Sequence, residues 1–192
     1  MNIRIHDLTF IDLVLAPREI QLDALRLRNQ QSIREQSINE TVISEEEHWA
    51  WISSLCNDSS RKIWVMQAFG KVLGVSSISD INLKDRIATG GLYIDTELQD
   101  SGLGVALAHH LLQNGFDAYG LERLEGEVIS TNASALQFNK SLGLRVEGIR
   151  RSCLVRQDRR LDVYLFGMLR AEWELARPRI EKLLQILKDR KI

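Results

Sequence analysis

Twelve residues in the middle of the chain have the types and spacing that bind phosphate groups. They read Tyr93-Ile94-Asp95-Thr96-Glu97-Leu98-Gln99-Asp100-Ser101-Gly102-Leu103-Gly104. A strand-like end is followed by a short turn, and Gln-x-x-Gly-x-Gly then opens a predicted helix. Because glycines let a backbone approach a ligand closely and a helix N-terminus carries unpaired N–H groups, the pattern predicts a cradle for a pyrophosphate. No Lys-Ser/Thr pair follows and a third glycine is missing, so the pattern is neither a nucleotide P-loop nor a dinucleotide-binding fingerprint.

The elements that must position this cradle follow from the spacing of apolar residues. Ser44 followed by Glu47 predicts a capped helix start, because the two residues form a capping box. Pro178 is predicted to bend or break the last helix. The predicted elements are, in order, a strand over 8–16, a helix over 17–30, a helix from Ser44, strands over 63–66, 72–78 and 87–95, a helix over 101–119, a strand over 122–130, a helix over 133–142, a hairpin of 144–155 and 161–169, and a helix over 171–191. This order predicts an α/β fold with a mixed sheet.

Length, composition and charge narrow the classes of protein further. The chain has 192 residues, 44% of them hydrophobic, and no linker or repeat between Pro17 and Pro178, which predicts one domain. A net charge of -1 gives no support for partners such as nucleic acid or an acidic membrane surface. No apolar run reaches the ~18–20 residues of a membrane helix, and Met1–Asp7 has no signal-peptide pattern. Cys56 and Cys153 are too few for a disulfide framework or a zinc cluster, so we expect a cytoplasmic protein without a metal.

A second block follows the next predicted strand. It reads Asn132-Ala133-Ser134-Ala135-Leu136-Gln137-Phe138-Asn139-Lys140-Ser141-Leu142-Gly143-Leu144. At this spacing behind the cradle, the two blocks together resemble the acetyl-CoA site of the GNAT acetyltransferase superfamily. The resemblance implies a mainly antiparallel sheet flanked by helices, in a domain over residues 1–170. Residues 171–192 would then be a C-terminal helical extension, packed on that domain or extending from it.

The same resemblance implies acetyl-CoA as the co-substrate, held at two places. In that family the first block binds the CoA pyrophosphate, which here implies Ile94, Asp95, Gln99, Ser101, Gly102, Leu103 and Gly104. The second block lines the pantetheine and the thiol end, which implies Asn132, Phe138, Asn139 and Lys140.

Residues upstream of the cradle resemble one branch of the family, the ribosomal-protein N-terminal acetyltransferases and the amino-sugar-nucleotide N-acetyltransferases of pseudaminic-acid-type biosynthesis. They are Arg28-Asn29, Arg34, Ile43-Ser44, His48 and Trp51-Ile52. The branch implies acetyl transfer to a primary amine, with a nucleotide-linked amino sugar as the preferred acceptor, and a possible homodimer. The alternatives are acetylation of a protein N-terminus and a non-catalytic domain that only senses acyl-CoA.

The family mechanism requires a group near the departing sulfur. Many relatives carry a tyrosine there as general acid, but this chain has Asn139. Because an amide supplies no proton at neutral pH, we expect Asn139 to contact the thiol without acting as an acid. Ser141 or an ordered water would then protonate the thiolate, or the thiolate would leave unprotonated, since a thiol pKa is ~8.5.

The general base that takes the proton from the amine has three candidates. Glu127 lies on the strand that borders the predicted cleft and is the preferred one. His48 has a suitable pKa and is also a candidate for contacting the acceptor. Glu97 follows the cradle strand. Arg28 is predicted to bind an anionic group of the acceptor.

Four further features have expected structural roles. Of His109 and His110, one is expected to be packed and one exposed. Cys153 is expected to be a small buried side chain. The basic hairpin at 150–160 is interpreted as a solvated turn, with nucleotide diphosphate binding as the alternative.

Overall fold

A seven-stranded sheet forms the centre of the protein, in the order β1-β2-β3-β4-β5-β7-β6. The computed structural model describes residues 3–99 and 101–188. The strands are β1 (Thr9–Asp12), β2 (Lys62–Ala68), β3 (Lys71–Asn82), β4 (Ile87–Ile94), β5 (Arg123–Ile129), β6 (Arg145–Arg156) and β7 (Arg159–Leu169). The helices are α1 (Arg18–Arg28), α2 (Gln31–Glu35), α3 (Glu45–Leu55), α4 (Leu103–Gln113), α5 (Ala133–Leu142) and α6 (Arg170–Leu187). The predicted mixed, mainly antiparallel sheet flanked by helices, with a C-terminal helix, is therefore confirmed.

Helices cover both faces of the sheet because each carries an apolar stripe at helical spacing. On one face α1 and α3 pack on β2 and β3, with Ile20, Ala24 and Ile52 in the shared core. On the other face α4 contributes Leu111 and Leu112 to a core that also holds Trp173 of α6 and Leu142 of α5. The sheet thus separates a face carrying α1 and α3 from a face carrying α4, α5 and α6.

The capping box predicted for α3 is present and sets the start of this helix. The Glu47 N–H donates to Ser44 Oγ at 3.2 Å, and the Ser44 N–H donates to Glu47 Oε2 at 2.7 Å. The hydrogen bond from the Ser44 backbone lowers the pKa of Glu47. The helix begins at the predicted place because this signal needs only four consecutive residues.

The short pairing between β4 and β5 leaves a gap in the sheet. β4 and β5 are parallel and pair only over Ile87–Thr89 with Arg123–Glu125, whereas β5 pairs with β7 along its whole length. Beyond Thr89 the two strands separate, so one edge of β4 loses its neighbour. The resulting gap lies inside the sheet, between the layers of helices.

Some predicted elements differ from the observed ones for local reasons. The first strand is shorter than predicted, because the Asp12 side chain accepts from the Val14 N–H and turns the chain into a 3₁₀ turn. The sequence pattern did not reveal α2, which has five residues. The predicted helix over 101–119 ends its regular part at Gln113 and continues as a π-helical turn over Asn114–Ala118.

The last helix continues through Pro178, so the predicted break is wrong. Pro178 lacks the N–H that would bond the carbonyl of Glu174, but both residues are exposed, and water can satisfy that carbonyl. Residues 189–191 of the predicted helix lie outside the described residues. None of the described helices is both long enough and apolar enough to cross a membrane.

Two expectations about individual side chains are also wrong. Cys153 is exposed, because it lies on β6, the edge strand of the sheet. Neither histidine of α4 is exposed. His110 stacks on Phe10 with ring centroids 4.1 Å apart, and burial lowers the pKa of His110 to about 4. His109 lies against Trp173 of α6.

Candidate active site

A cleft opens where β4 and β5 separate. It encloses about 740 Å³, including the space that is open to solvent at its mouth. The polar side chains that line it are Gln36, Glu125, Glu127, Asn132 and Asn139. Its apolar lining comes from β4, β5, α4 and α5, with Leu92, Leu111, Leu124 and Phe138 among the contributors. The structure therefore brings two of the predicted catalytic residues, Glu127 and Asn139, to one cleft.

The alternation of side chains along β5 assigns each wall of the cleft to one face of the sheet. Leu124 and Val128 are buried, and Leu124 packs with α4 residues. Glu125 and Glu127 must then lie on the opposite face, where Tyr93 of β4 packs with α1 residues. The cleft is thus lined from both faces, apolar on the α4 side and acidic on the α1 side.

The predicted cradle is a compact turn followed by the first turn of α4. Gly102 is the N-cap of α4 with φ of 89°, a left-handed conformation that glycine adopts without strain. The Leu103 N–H donates to Ser101 Oγ at 3.1 Å. The Leu103 side chain is buried, so only its backbone can face a ligand. Asp100, within this turn, lies outside the described residues.

The Gly104 backbone lies next to Phe138, one of the residues that line the cleft. A Cβ placed on Gly104 would meet only Phe138, at 3.7 Å, so the backbone there is open to close approach. Gln99 is exposed at the same turn. The first turn of α4 carries a partial positive charge that favours an anion. Binding of the CoA pyrophosphate at this turn stays a prediction.

Two of the predicted CoA residues, Ile94 and Asp95, precede the cradle turn and are held by contacts within the protein. The Asp95 carboxylate accepts from the Glu97 N–H at 3.1 Å and lies 3.7 Å from Lys71 Nζ. The Asp95 N–H already donates to the Leu73 carbonyl at 2.9 Å. Ile94 pairs with Gly74 of β3 and packs in the core. Asp95 and Ile94 thus shape the turn, and their own side chains are engaged within the protein.

The second block forms α5 with its N-cap, and it contributes one wall of the cleft. Asn132 is the N-cap, and its Oδ1 accepts from the Ala135 N–H at 3.0 Å. Phe138 and Asn139 line the cleft, whereas Lys140 is exposed outside it. The Ser141 hydroxyl donates to the Phe138 carbonyl at 2.7 Å, so this candidate acid is engaged in its own helix.

The structure separates the three candidate bases. Glu127 lines the cleft and forms an ion pair with Arg150 of β6. His48 is only 4% exposed, and its Nε2 lies 2.9 Å from the Gln21 carbonyl of α1, so the imidazole donates a structural hydrogen bond there. Burial lowers the pKa of His48. Glu97 is exposed on the turn that precedes the cradle. Of the three, Glu127 is the one that lines the cleft.

Arg28 lies on the α1 side and is partly engaged. Its Nη2 donates to the Asn39 carbonyl at 2.6 Å, and among the described residues its buried Nη1 has no acceptor. Burial lowers the pKa of Arg28, and the neighbouring Tyr93 opposes that effect. Burial likewise raises the pKa of Tyr93. The prediction that Arg28 binds an anionic group of the acceptor stays a prediction.

Three residues in or near the cleft make contacts that the sequence did not predict. Gln36 comes from a short segment after α2, Arg150 pairs with Glu127, and Leu187 of α6 packs against Gly102. The basic hairpin was visible as a cluster of arginines, but the carboxylate that Arg150 meets was not. No sequence pattern indicated the role of Leu187, because it lies in the C-terminal helix and contacts the cradle only in the folded protein.

Comparison with known proteins defines the class. The profile of the acetyltransferase (GNAT) domain matches residues 16–165, so the chain belongs to the GNAT acetyltransferase family. It is an N-acetyltransferase enzyme of this type, as the resemblance of the two glycine- and asparagine-containing blocks implied.

The relatives support this class and the fold. The uncharacterized N-acetyltransferase p20 of Bacillus licheniformis is 24% identical over 120 residues, which are 62% of this chain and 67% of that protein. The spermidine N-acetyltransferase of Vibrio cholerae in complex with CoA and spermine has a TM-score of 0.80 at 20% identity, covering 88% of this chain and 99% of that chain. A GCN5-related N-acetyltransferase from Brucella melitensis has a TM-score of 0.73 at 18% identity, covering 92% of this chain and 82% of that one. These relatives do not bear on the amino-sugar or ribosomal-protein branch.

Proposed function

We propose that this enzyme transfers an acetyl group from acetyl-CoA to a small primary amine, with the two substrates entering from opposite faces of the sheet. The observation that carries this proposal is the gap between β4 and β5. Phe138 and Asn139 line it on the α4–α5 side, where Phe138 lies next to Gly104 of the glycine cradle, and Glu127 lines it on the α1 side. A thioester bound from the α4–α5 side and an amine bound from the α1 side would then come into contact within the gap.

The chemistry of the step follows from these positions. The neutral amine nitrogen attacks the thioester carbonyl carbon, and backbone N–H groups at the free edge of β4 stabilise the oxyanion. The C–S bond then breaks, and CoA leaves as a thiolate that accepts a hydrogen bond from the Asn139 amide. Glu127 takes the proton from the amine, directly or through water. Arg150 holds the Glu127 carboxylate in place at the cleft.

For the acceptor, we propose a nucleotide-linked amino sugar first. Such a molecule brings both an amine and a diphosphate, and the diphosphate needs guanidinium partners. The support comes from Arg28, whose Nη1 has no acceptor among the described residues, and from Arg150 at the rim of the cleft. Both arginines lie on the same side of the sheet as Glu127.

A polyamine is the second candidate acceptor. Glu125 and Glu127 are the charged side chains that line the cleft, and two carboxylates suit a substrate with several ammonium groups. A structural neighbour is a spermidine N-acetyltransferase in complex with CoA and spermine. At 20% identity this neighbour supports the shape of the site more than its selectivity.

Release of CoA, followed with a thiol reagent, tests these proposals. The panel should hold nucleotide-linked amino sugars, polyamines and peptides with free N-termini, each with acetyl-CoA. Turnover with the first group alone supports the preferred acceptor, and turnover with polyamines replaces it with the second. Turnover with peptides favours the protein N-terminal alternative. Binding of acetyl-CoA by calorimetry without turnover on any amine would favour the sensor alternative.

A further inference from the structure

The chain between α2 and α3 crosses the acceptor side without forming a helix or strand. This acceptor segment comprises residues 36–43, and its first residue, Gln36, lines the cleft together with Glu125 and Glu127. Residues 39–42 are exposed and contribute nothing to the hydrophobic core. The position of the segment therefore depends on polar contacts rather than on burial.

Three arginines hold the backbone of the acceptor segment. Arg28 donates to the Asn39 carbonyl at 2.6 Å, and Arg34 Nη1 donates to the Glu40 carbonyl at 2.9 Å. Both arginines come from nearby helices of the same region. The third, Arg156, comes from the last residue of β6.

Arg156 makes more contacts with the acceptor segment than either of the others. Its Nη2 donates to the Ser37 carbonyl at 2.8 Å and to the Ile38 carbonyl at 2.6 Å. Its Nε lies 3.1 Å from Glu40 Oε2, and the side chain is only 15% exposed. A planar guanidinium suits such a set of acceptors, because its donors point in fixed directions.

β6 therefore connects both sides of the acceptor site. Near its middle, Arg150 pairs with Glu127, and at its end Arg156 holds the segment that begins at Gln36. Both arginines belong to one strand, so β6, together with Arg28 and Arg34, contributes to the distance between the acceptor segment and the Glu127 carboxylate.

We propose that Arg156 is a positioning residue that fixes the acceptor segment against Glu127 and so decides which amines the site accepts. This inference rests on the proposed acetyl transfer. Arg156 need not touch either substrate. Without it, the Ser37 and Ile38 carbonyls would turn to water, and the segment would sample positions that no longer fit one acceptor.

The test compares Arg156→Ala and Arg156→Lys with Arg159→Ala. Arg159 is the cross-strand partner of Arg156 and is exposed, and the described residues offer its side chain no ion pair or hydrogen bond. For Arg156→Ala we expect a roughly tenfold rise in acceptor KM, the scale of one charge-assisted hydrogen bond, with unchanged acetyl-CoA affinity. Arg156→Lys should recover only part of the loss, because an ammonium lacks the guanidinium fork. Arg159→Ala should match the wild type.

Hydrogen exchange supplies a readout that does not depend on turnover. Amides within residues 37–43 should exchange faster in Arg156→Ala, while those of α4 and α5 stay protected. Unchanged acceptor KM and unchanged exchange in that variant would overturn the inference, as would an equal effect of Arg159→Ala. If the wild type turns over no amine, the proposed function fails. Faster exchange at 37–43 would in that case still support the positioning role, and unchanged exchange would overturn it.

Discussion

The two sides of the cleft are built in different ways. On the CoA side, the hydrogen bonds that shape the site join neighbours in the chain, as from the Leu103 N–H to Ser101 Oγ and from the Ala135 N–H to Asn132 Oδ1. On the acceptor side, Arg156 reaches the carbonyl of Ile38, which is 118 residues away. The proposed CoA side therefore rests largely on hydrogen bonds within single turns, whereas the proposed acceptor side also depends on Arg156, which only the assembled fold brings to it.

This difference corresponds to the two tasks of the enzyme, which are binding a phosphate group and recognising one particular amine. A phosphate can be bound by backbone N–H groups at a helix start, which any suitable turn supplies. Recognition of one amine needs side chains at fixed mutual distances, and the side chains that we propose for this task come from α1, β5 and β6. Changes on the CoA side should consequently alter acetyl-CoA affinity, and changes on the acceptor side should alter turnover or acceptor KM.

The strongest test of this separation is Glu127→Gln. If Glu127 is the general base, turnover should fall by about 10²–10⁴-fold while acetyl-CoA affinity by calorimetry stays constant. The deficit should shrink as the pH rises, because free amine then forms without help. Wild-type turnover in this variant, combined with loss of activity in a folded His48→Gln variant, would assign the base to His48 instead.

On the CoA side, Gly104→Glu should give the next largest effect. It places a carboxylate against the pyrophosphate, and like charges ~4 Å apart cost about 1–4 kcal/mol, so acetyl-CoA affinity should fall by about 5–1,000-fold. Gly104→Ala is the matched control, because its Cβ would meet Phe138 at an ordinary 3.7 Å. Unaltered affinity in a folded Gly104→Glu variant would mean that the pyrophosphate binds elsewhere.

Gly102 is less suitable for this test. A Cβ there would lie 2.7 Å from Leu187 Cδ1, and the positive φ adds strain, so Gly102→Glu would disturb packing and charge together. The structure thus selects Gly104 from two glycines that the sequence presents as equivalent.

The contact between α6 and the cradle can be tested with a pair of adjacent residues. Leu187 is 7% exposed and Ile186 is 65% exposed. Leu187→Ala should lower the free energy of unfolding by roughly 2 kcal/mol, and Ile186→Ala by less than about 0.5 kcal/mol, in urea titrations. Acetyl-CoA should bind less tightly to Leu187→Ala alone. Equal effects of the two substitutions would show that α6 does not support the cradle.

The smallest effect is expected at Asn139. If its amide only donates a hydrogen bond to sulfur, Asn139→Ala should lower turnover by about 2–13-fold, equivalent to ~0.5–1.5 kcal/mol. Acceptor KM should not change, since α5 lies on the CoA side. A loss above about a thousandfold would assign Asn139 an essential part in thiolate departure.

The parts of the fold that could be predicted are those with local or periodic signals. The capping box at Ser44, the left-handed turn at Gly102 and the cap at Asn132 each depend on a few consecutive residues. The prediction that Pro178 bends or breaks the last helix was wrong, because a proline alone does not show whether the turn around it is exposed to water. The prediction that Cys153 is buried was also wrong, since an apolar residue in a strand gives no sign that the strand lies at the edge of the sheet.

By itself, the sequence determined the order of the strands and of the helices other than α2, and it located the two blocks at the starts of α4 and α5, because backbone hydrogen bonds and caps act over short stretches of chain. It also offered three candidate bases, with Glu127 preferred over His48 and Glu97. Only the tertiary structure decided among their positions, since sheet pairing turns Glu127 towards the cleft and helix packing buries His48 against Gln21. The arginine contacts of the acceptor segment were likewise hidden, because a guanidinium finds its carbonyls only after β6 has reached its place at the end of the sheet.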